Sequence, residues 1–379
     1  MRRHVMRSVA VSCVLALILA VDLGAQGGAP APQGSGATKK EAKAKKREAA
    51  DTLGAPITHT PKGAAPIFRD EQPLTFTLTM NWAQVRKDRG QTPTWHAATI
   101  AFKGDSGDAS VPLRLRPRGI WRLKNCDLPP LRFNFTKDST KHSPFAKLDK
   151  PKLVSVCKDK SDYDEYILEE YQLYRVLNLL TPLGFRARLA KVTYVDSAKA
   201  PAKAVTTRWA FLTEDAGELA ERTGMRALDV KGATRGDIQV DELALFGLFQ
   251  YFIGNTDFAI GALHNVQLMA DDTATYAVPY DFDWTGAVNP PYAFPAPQLG
   301  IRRVEDRLYR GFCTTPEALD RALQVFEAKK DAIYALYHDD IGKLMAPDRV
   351  KRAIDYYDEF YKTITDPKKI RRDIIGACL

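Results

Sequence analysis

The chain has 379 residues, 45% of them hydrophobic and 27% charged, with a formal net charge of +9. That length allows one large domain or two lobes around a sizeable core. The charge is unevenly spread: residues 1–25 carry +2 and residues 26–66 carry +4, which leaves about +3 for the rest, so a strongly basic folded surface is excluded and nucleic acid is not an implied partner.

At the N-terminus, Arg2, Arg3 and Arg7 precede an apolar run from Val9 to Val21, with Gly24-Ala25 after it. This is the pattern of a secretory signal peptide over residues 1–25. The run is shorter than the roughly 20 residues a spanning helix needs, and no later segment is long and apolar enough to span. The mature chain is therefore expected to be exported, to the periplasm or the exterior, with no transmembrane segment. Cys13 lies inside the run rather than at its end, where a lipid-modified Cys would sit. Residues 26–66 are rich in Ala, Gly, Pro and Lys, a composition that buries too little apolar surface to offset ordering entropy, and read as a disordered linker.

Four cysteines follow the leader: Cys126, Cys157, Cys313 and Cys378. An even number in an oxidising compartment favours two disulfides. Of the three possible pairings we take Cys126–Cys157, which flank neighbouring strands, and Cys313–Cys378, which would staple the C-terminal tail.

Residues 74–80 alternate apolar and polar, as a half-buried strand does. Further strands fit 96–103, 111–118, 130–135 and 152–157. A helix is predicted from Tyr163 to Leu180, stopped by Thr181-Pro182, with Ile167, Tyr171 and Tyr174 on its apolar stripe. Strands fit 189–195 and 207–213, a helix 240–253, then strands 264–269 and 275–280. Helices fit 316–336, 338–345 and 347–364. This order predicts an α+β fold with an N-terminal β-rich lobe over 67–214, containing one helix, and a C-terminal α-rich lobe over 215–379.

The residues that carry chemistry cluster between 254 and 286. Asp257 sits in a Gly-Asn-Thr-Asp turn, Asn265 opens the next strand, and Asp281 and Asp283 end the strand after it. In a hairpin, Asn265 and Asp281 meet at the open end, near the loop holding Asp257. Mg²⁺ takes one or two carboxylates plus phosphate oxygens, and phosphoryl transfer needs a carboxylate to orient the attacking hydroxyl. A second signal is basic. Arg114, Arg116 and Arg118 alternate and share a strand face, with Gly119, Arg122, Lys124 and Arg132 beyond. Arg118 and Arg132 are the candidates for gripping phosphate. Glu170 flanks the apolar stripe of its helix and is the candidate carboxylate to pair with such a cation, whereas Glu169 is expected to point away.

On these residues the chain resembles the spore-coat protein H (CotH-like) kinase family, from roughly Leu113 to Gly286. The likeness rests on Arg118-Gly119, the LRFNF pattern at 131–135, Trp209-Ala-Phe-Leu-Thr-Glu214, Gly254-Asn255-Thr256-Asp257, His264-Asn265 and Tyr280-Asp281-Phe282-Asp283. It implies a bilobal, protein-kinase-like fold. It also implies ATP with Mg²⁺ or Mn²⁺ as cofactors, Asp257 as the carboxylate that orients the acceptor, and Asn265, Asp281 and Asp283 as metal ligands. The family's Lys-rich segment before the strand at 131–135 is replaced here by Cys126-Asp-Leu-Pro-Pro130. The expected activity is transfer of a phosphoryl group to Ser or Thr of an envelope or secreted protein. The alternatives are a pseudokinase that serves as an envelope binding or assembly module, and a metal-dependent phosphoester hydrolase. The scattered histidines (His59, His96, His142, His264 and His338) offer little to the last.

Overall fold

The alternating Leu-Thr-Phe-Thr-Leu-Thr-Met segment forms β1 (Leu74–Met80), with Phe76, Leu78 and Met80 buried on one face. Its two edges define the architecture. One pairs antiparallel with β2 (His96–Gly104). The other pairs in parallel with β6 (Ala187–Asp196), from Leu74 opposite Ala190 to Met80 opposite Asp196. Through β3 (Gly107–Pro117), β4 (Leu131–Phe135), β5 (Lys152–Ser155) and β7 (Lys203–Thr213), the strands close into a seven-stranded barrel of order β1-β2-β3-β4-β5-β7-β6. Closure leaves no unpaired strand edge. The computed structural model describes residues 61–379 apart from 105, 106 and 137. The expected signal peptide and residues 26–60 of the expected linker lie outside the described residues.

Two short helices interrupt the barrel strands, α1 (Trp82–Lys87) and α2 (Trp121–Asn125). The long α3 (Tyr163–Leu180) follows β5, and its C-cap is the extended Thr181 that precedes Pro182. A second, three-stranded sheet has the order β10 (Thr275–Pro279), β9 (Val266–Ala270), β8 (Arg226–Leu228). α4 (Ala216–Thr223) packs on β8 and α5 (Val240–Ile253) on β10, while α6 (Pro316–Ala335) and α7 (Pro347–Ile364) pack on α5. α4 is bounded by a capping box between Asp215 and Glu218 and by left-handed Gly224, which satisfies its terminal backbone groups.

The α+β class holds, but the bilobal kinase-like arrangement does not. The strands before residue 214 close on themselves as a mixed barrel rather than forming one lobe of a pair. A continuous apolar core runs from barrel residues such as Phe76 and Phe211, past Tyr171 and Tyr174 of α3, to Phe252, Phe326 and Phe360 of the C-terminal helices. A helix expected at 338–345 is reduced to a single turn at Gly342–Leu344. There the Asp339 carboxylate accepts from the Ile341 and Gly342 amides (3.0 and 2.9 Å) and from Arg175 (2.6 Å), a side-chain pattern that competes with helix.

Both expected disulfides are present, Cys126–Cys157 and Cys313–Cys378. Among the described residues no helix is long and apolar enough to cross a membrane. Disulfides persist in oxidising compartments, so the two bonds fit an exported protein.

Candidate functional site

α5 ends because Gly254 takes a left-handed conformation (φ 65°). Asn255 then builds a side-chain turn: its Oδ1 accepts from the Asp257 amide at 2.8 Å and its Nδ2 donates to Gln250 at 3.0 Å. This turn turns Asp257 outward. Asp257 accepts from Asn265 Nδ2 through both its backbone carbonyl (2.7 Å) and its Oδ2 (3.1 Å), and its Oδ1 meets His264 Nε2 at 2.9 Å. Two acceptors on Nδ2 fix the orientation of the Asn265 amide, and among the described residues its Oδ1 accepts no hydrogen bond.

The β9–β10 hairpin sets Asn265 beside the Tyr280-Asp281 step, where the Tyr280 amide donates to the Asn265 carbonyl at 3.1 Å. Phe282 is fully buried against Tyr174 and Phe249 (ring centroids 4.7 and 5.4 Å) and anchors the two acids that flank it. The Asp281 amide donates to the Tyr174 hydroxyl at 3.1 Å, so α3 also positions this acid. Leu263, Asn265 and Asp281 all have positive φ (54°, 53° and 66°). Left-handed backbone is tolerated by Asn and Asp but costly for Leu, and such strain clusters at functional sites.

Five of the sequence candidates line one cleft of about 370 Å³: Arg118, Asp257, Asn265, Asp281 and Asp283. That volume lies in the range of ligand pockets. A larger hollow of about 640 Å³ beside β1 is walled by Phe76, Phe102, Phe145 and neighbouring small and aliphatic positions, with Lys103 and Asp108 its charged members among the described residues. The smaller cleft is the one with converging chemistry.

The other two candidates, Arg132 and Glu170, are not part of the cleft lining. Arg132 is ion-paired to Asp215 at 3.0 Å. Glu170 is buried, with its Oε2 4.0 Å from Arg122 Nη1 and its Oε1 without a hydrogen-bond partner among the described residues. Glu169 is also buried, against the expectation that it points away. It pairs with Arg352 of α7 at 2.6 Å, because α3 packs on the barrel on one side and on α7 on the other.

Arg122 and Lys152 complete the electrostatics. Arg122 Nη1 lies 3.8 Å from Asp283 Oδ2, and its Nη2 donates to the Ser155 carbonyl. Burial pushes Asp283 up to about 6 against the pull of Arg122, and the Asp281 charge pushes the same way. Burial pushes Glu170 well above the carboxylate range, and the Asp283 charge adds to the effect. Lys152 opens β5, with its ammonium over the Tyr280 ring at 4.5 Å. Burial pushes it down to about 7 and the Arg118 charge adds to this, against the opposing pull of Asp281. Lys152 has no hydrogen-bond or ion-pair partner among the described residues. It begins a strand otherwise made of buried residues, and that placement is its one sequence signal.

A divalent cation fits the donor set in kind. Among the described residues the Asp281 carboxylate has no hydrogen-bond or ion-pair partner, and Asn265 offers its free Oδ1. Among the described residues no three His, Cys, Asp or Glu side chains form a metal cage. Mg²⁺ characteristically uses one or two carboxylates and completes its shell with water and phosphate oxygens. The residues that would hold it are Asp281, Asn265 and Asp283. No family model matches the chain, and no curated protein matches it.

Proposed function

We propose that the cleft binds a nucleoside triphosphate with Mg²⁺ or Mn²⁺ and transfers its terminal phosphoryl group to a hydroxyl of a protein in the same exported compartment, periplasmic or extracellular. The observation that carries this reading is the pairing of unlike walls. Among the described residues the Asp281 carboxylate has no hydrogen-bond or ion-pair partner and the Asn265 side-chain oxygen accepts no hydrogen bond, and both residues line the same cleft as Arg118; the Lys152 ammonium, held only over the Tyr280 and Phe185 rings, lies beside it. One wall suits a hard cation and the other suits phosphate oxygens. The likeness of residues 254–283 to the CotH-like motifs supports the same chemistry.

In this reading Arg118 and Lys152 hold the phosphate chain. A cation on Asp281, Asn265 and Asp283 would offset charge on the phosphate oxygens. Asp257 accepts a hydrogen bond from the acceptor hydroxyl and takes its proton. The acceptor oxygen forms a bond to the terminal phosphorus as the bond from phosphorus to the bridging oxygen breaks, and nucleoside diphosphate leaves. His264 and Asn265 hold the Asp257 carboxylate in place for that step.

A second reading is a binding module that grips the same ligand without transfer. Engagement of both Asp257 oxygens by His264 and Asn265 favours it. Transfer of labelled phosphate to Ser- and Thr-containing acceptors separates the two. The transfer reading expects Asp257→Asn to abolish incorporation and keep nucleotide binding, and Asp281→Asn to abolish both. Binding without incorporation by the wild type would establish the module.

A further inference from the structure

One rim of the cleft is apolar and bonded to the acidic centre. Ile120, 79% exposed, lines the cleft together with Trp121 and Trp284. Phe294, 58% exposed, packs on Trp284 at 4.9 Å. Tyr292 stacks on Trp121 at 5.3 Å, and its hydroxyl donates to Asp283 Oδ2 at 3.1 Å. The lip is therefore fixed in register with the acids. Among the described residues neither indole N–H has a hydrogen-bond partner, so the lip offers apolar surface with two spare donors. An exposed apolar strip bordered by charged groups marks an interaction surface.

We propose that this lip is the acceptor subsite and seats an extended polypeptide whose hydroxyl residue is flanked by a large apolar side chain. The identity of the hydroxyl as acceptor rests on the transfer reading; the binding preference does not. An extended chain advances roughly 3.3 Å per residue and carries a carbonyl acceptor at every step. It can therefore lay a large side chain on the apolar strip, meet the indole donors with its backbone, and direct a neighbouring hydroxyl towards Asp257. A sugar ring is a poorer occupant. The Trp121 and Trp284 rings meet at 73° and Trp284 and Phe294 at 55°, so no flat platform faces the cleft, and the most exposed member, Ile120, is aliphatic.

The test uses fluorescently labelled Ser/Thr peptides in which the flanking residue is Phe, Leu or Ala, titrated by anisotropy. Wild type and the surface variant Phe294→Ser, at a position outside the cleft lining, are compared, alongside the thermal shift given by ATP with Mn²⁺. The proposal expects about tenfold tighter binding of Phe- or Leu-flanked peptides than of Ala-flanked ones. The variant should lose that preference and keep the nucleotide shift. Equal binding of all peptides by the wild type, an intact preference in the variant, or binding of an oligosaccharide in place of peptide each overturns it. A preference seen in a wild type that shows no nucleotide shift supports the subsite and refutes the transfer reading.

Discussion

Arg122 Nη1 stands 3.8 Å from Asp283 Oδ2 in the wall of the cleft, and the same nitrogen is 4.0 Å from Glu170 Oε2. One guanidinium thus balances two buried carboxylates that burial drives towards protonation. Removing one partner of a buried charge cluster costs more than the pair contributes, because the remaining charge is left uncompensated. Arg122→Gln is expected to lower stability by about 3–5 kcal/mol, read from urea denaturation. A loss below about 1 kcal/mol, as at an ordinary surface position, would contradict the role given to Arg122.

The Cys126–Cys157 disulfide holds both ends of that arrangement. Cys126 caps α2, one turn after Arg122, and its amide donates to the Arg122 carbonyl. Cys157 lies two residues beyond Ser155, whose carbonyl accepts from the Arg122 side chain. Cys126→Ser/Cys157→Ser is expected to cost about 3–4 kcal/mol by loop-closure entropy and also to weaken nucleotide binding in calorimetry. Cys313→Ser/Cys378→Ser should be destabilising with binding unchanged. Equal affinity in both double variants would remove the link between the first disulfide and the site.

Gly254 is the hinge between α5 and the Asp257 turn. It has φ 65°, and a Cβ there would collide with the Tyr356 hydroxyl. Gly254→Ala combines left-handed strain with this clash, so a loss of about 2 kcal/mol or more is expected, read from thermal unfolding. Tolerance of alanine without loss would show that this backbone is not constrained.

Lys152 sets a pH dependence. Its folded value is about 7, held below the ordinary 10.5 mainly by burial. Between these values the unfolded chain binds the extra proton, so this residue makes stability rise with pH across that window, and its cost is fully present below 7. Phosphate binding needs the charged form. Affinity for tripolyphosphate is therefore expected to fall between about pH 6 and pH 8 in the wild type, and to stay level in Lys152→Arg, whose guanidinium remains charged. Matching profiles for the two proteins would discard Lys152 as a phosphate group.

Much of the local structure was legible. α3, α5 and α7 match their predicted spans because each has strong end signals, such as Thr181-Pro182 after α3 and Pro347 at the start of α7. α4 carries an Asp215-x-x-Glu218 capping box, but at 8 residues it is too short for a periodic stripe to emerge. Barrel closure was not legible, since it depends on the parallel pairing of β1 with β6, whose partners are far apart in sequence. The acids at 257, 281 and 283 stand out because a turn and a hairpin gather them locally. Lys152 does not, because its neighbours Arg118, Arg132 and Asp215 come from other parts of the chain. Glu169 defeats a one-stripe view of α3, a helix buried on two faces.

The central claim is a cation-dependent phosphate site on Asp281 and Asn265. It is tested most directly by unfolding wild type, Asp281→Asn and Asn265→Ala with ATP, with and without Mn²⁺. The wild type is expected to be stabilised only when both are present, by about 2.7 kcal/mol at a ligand concentration 100 times Kd, and both variants are expected to lose this gain. A wild type indifferent to Mn²⁺ and ATP, or an Asp281→Asn protein that keeps the full gain, would contradict it.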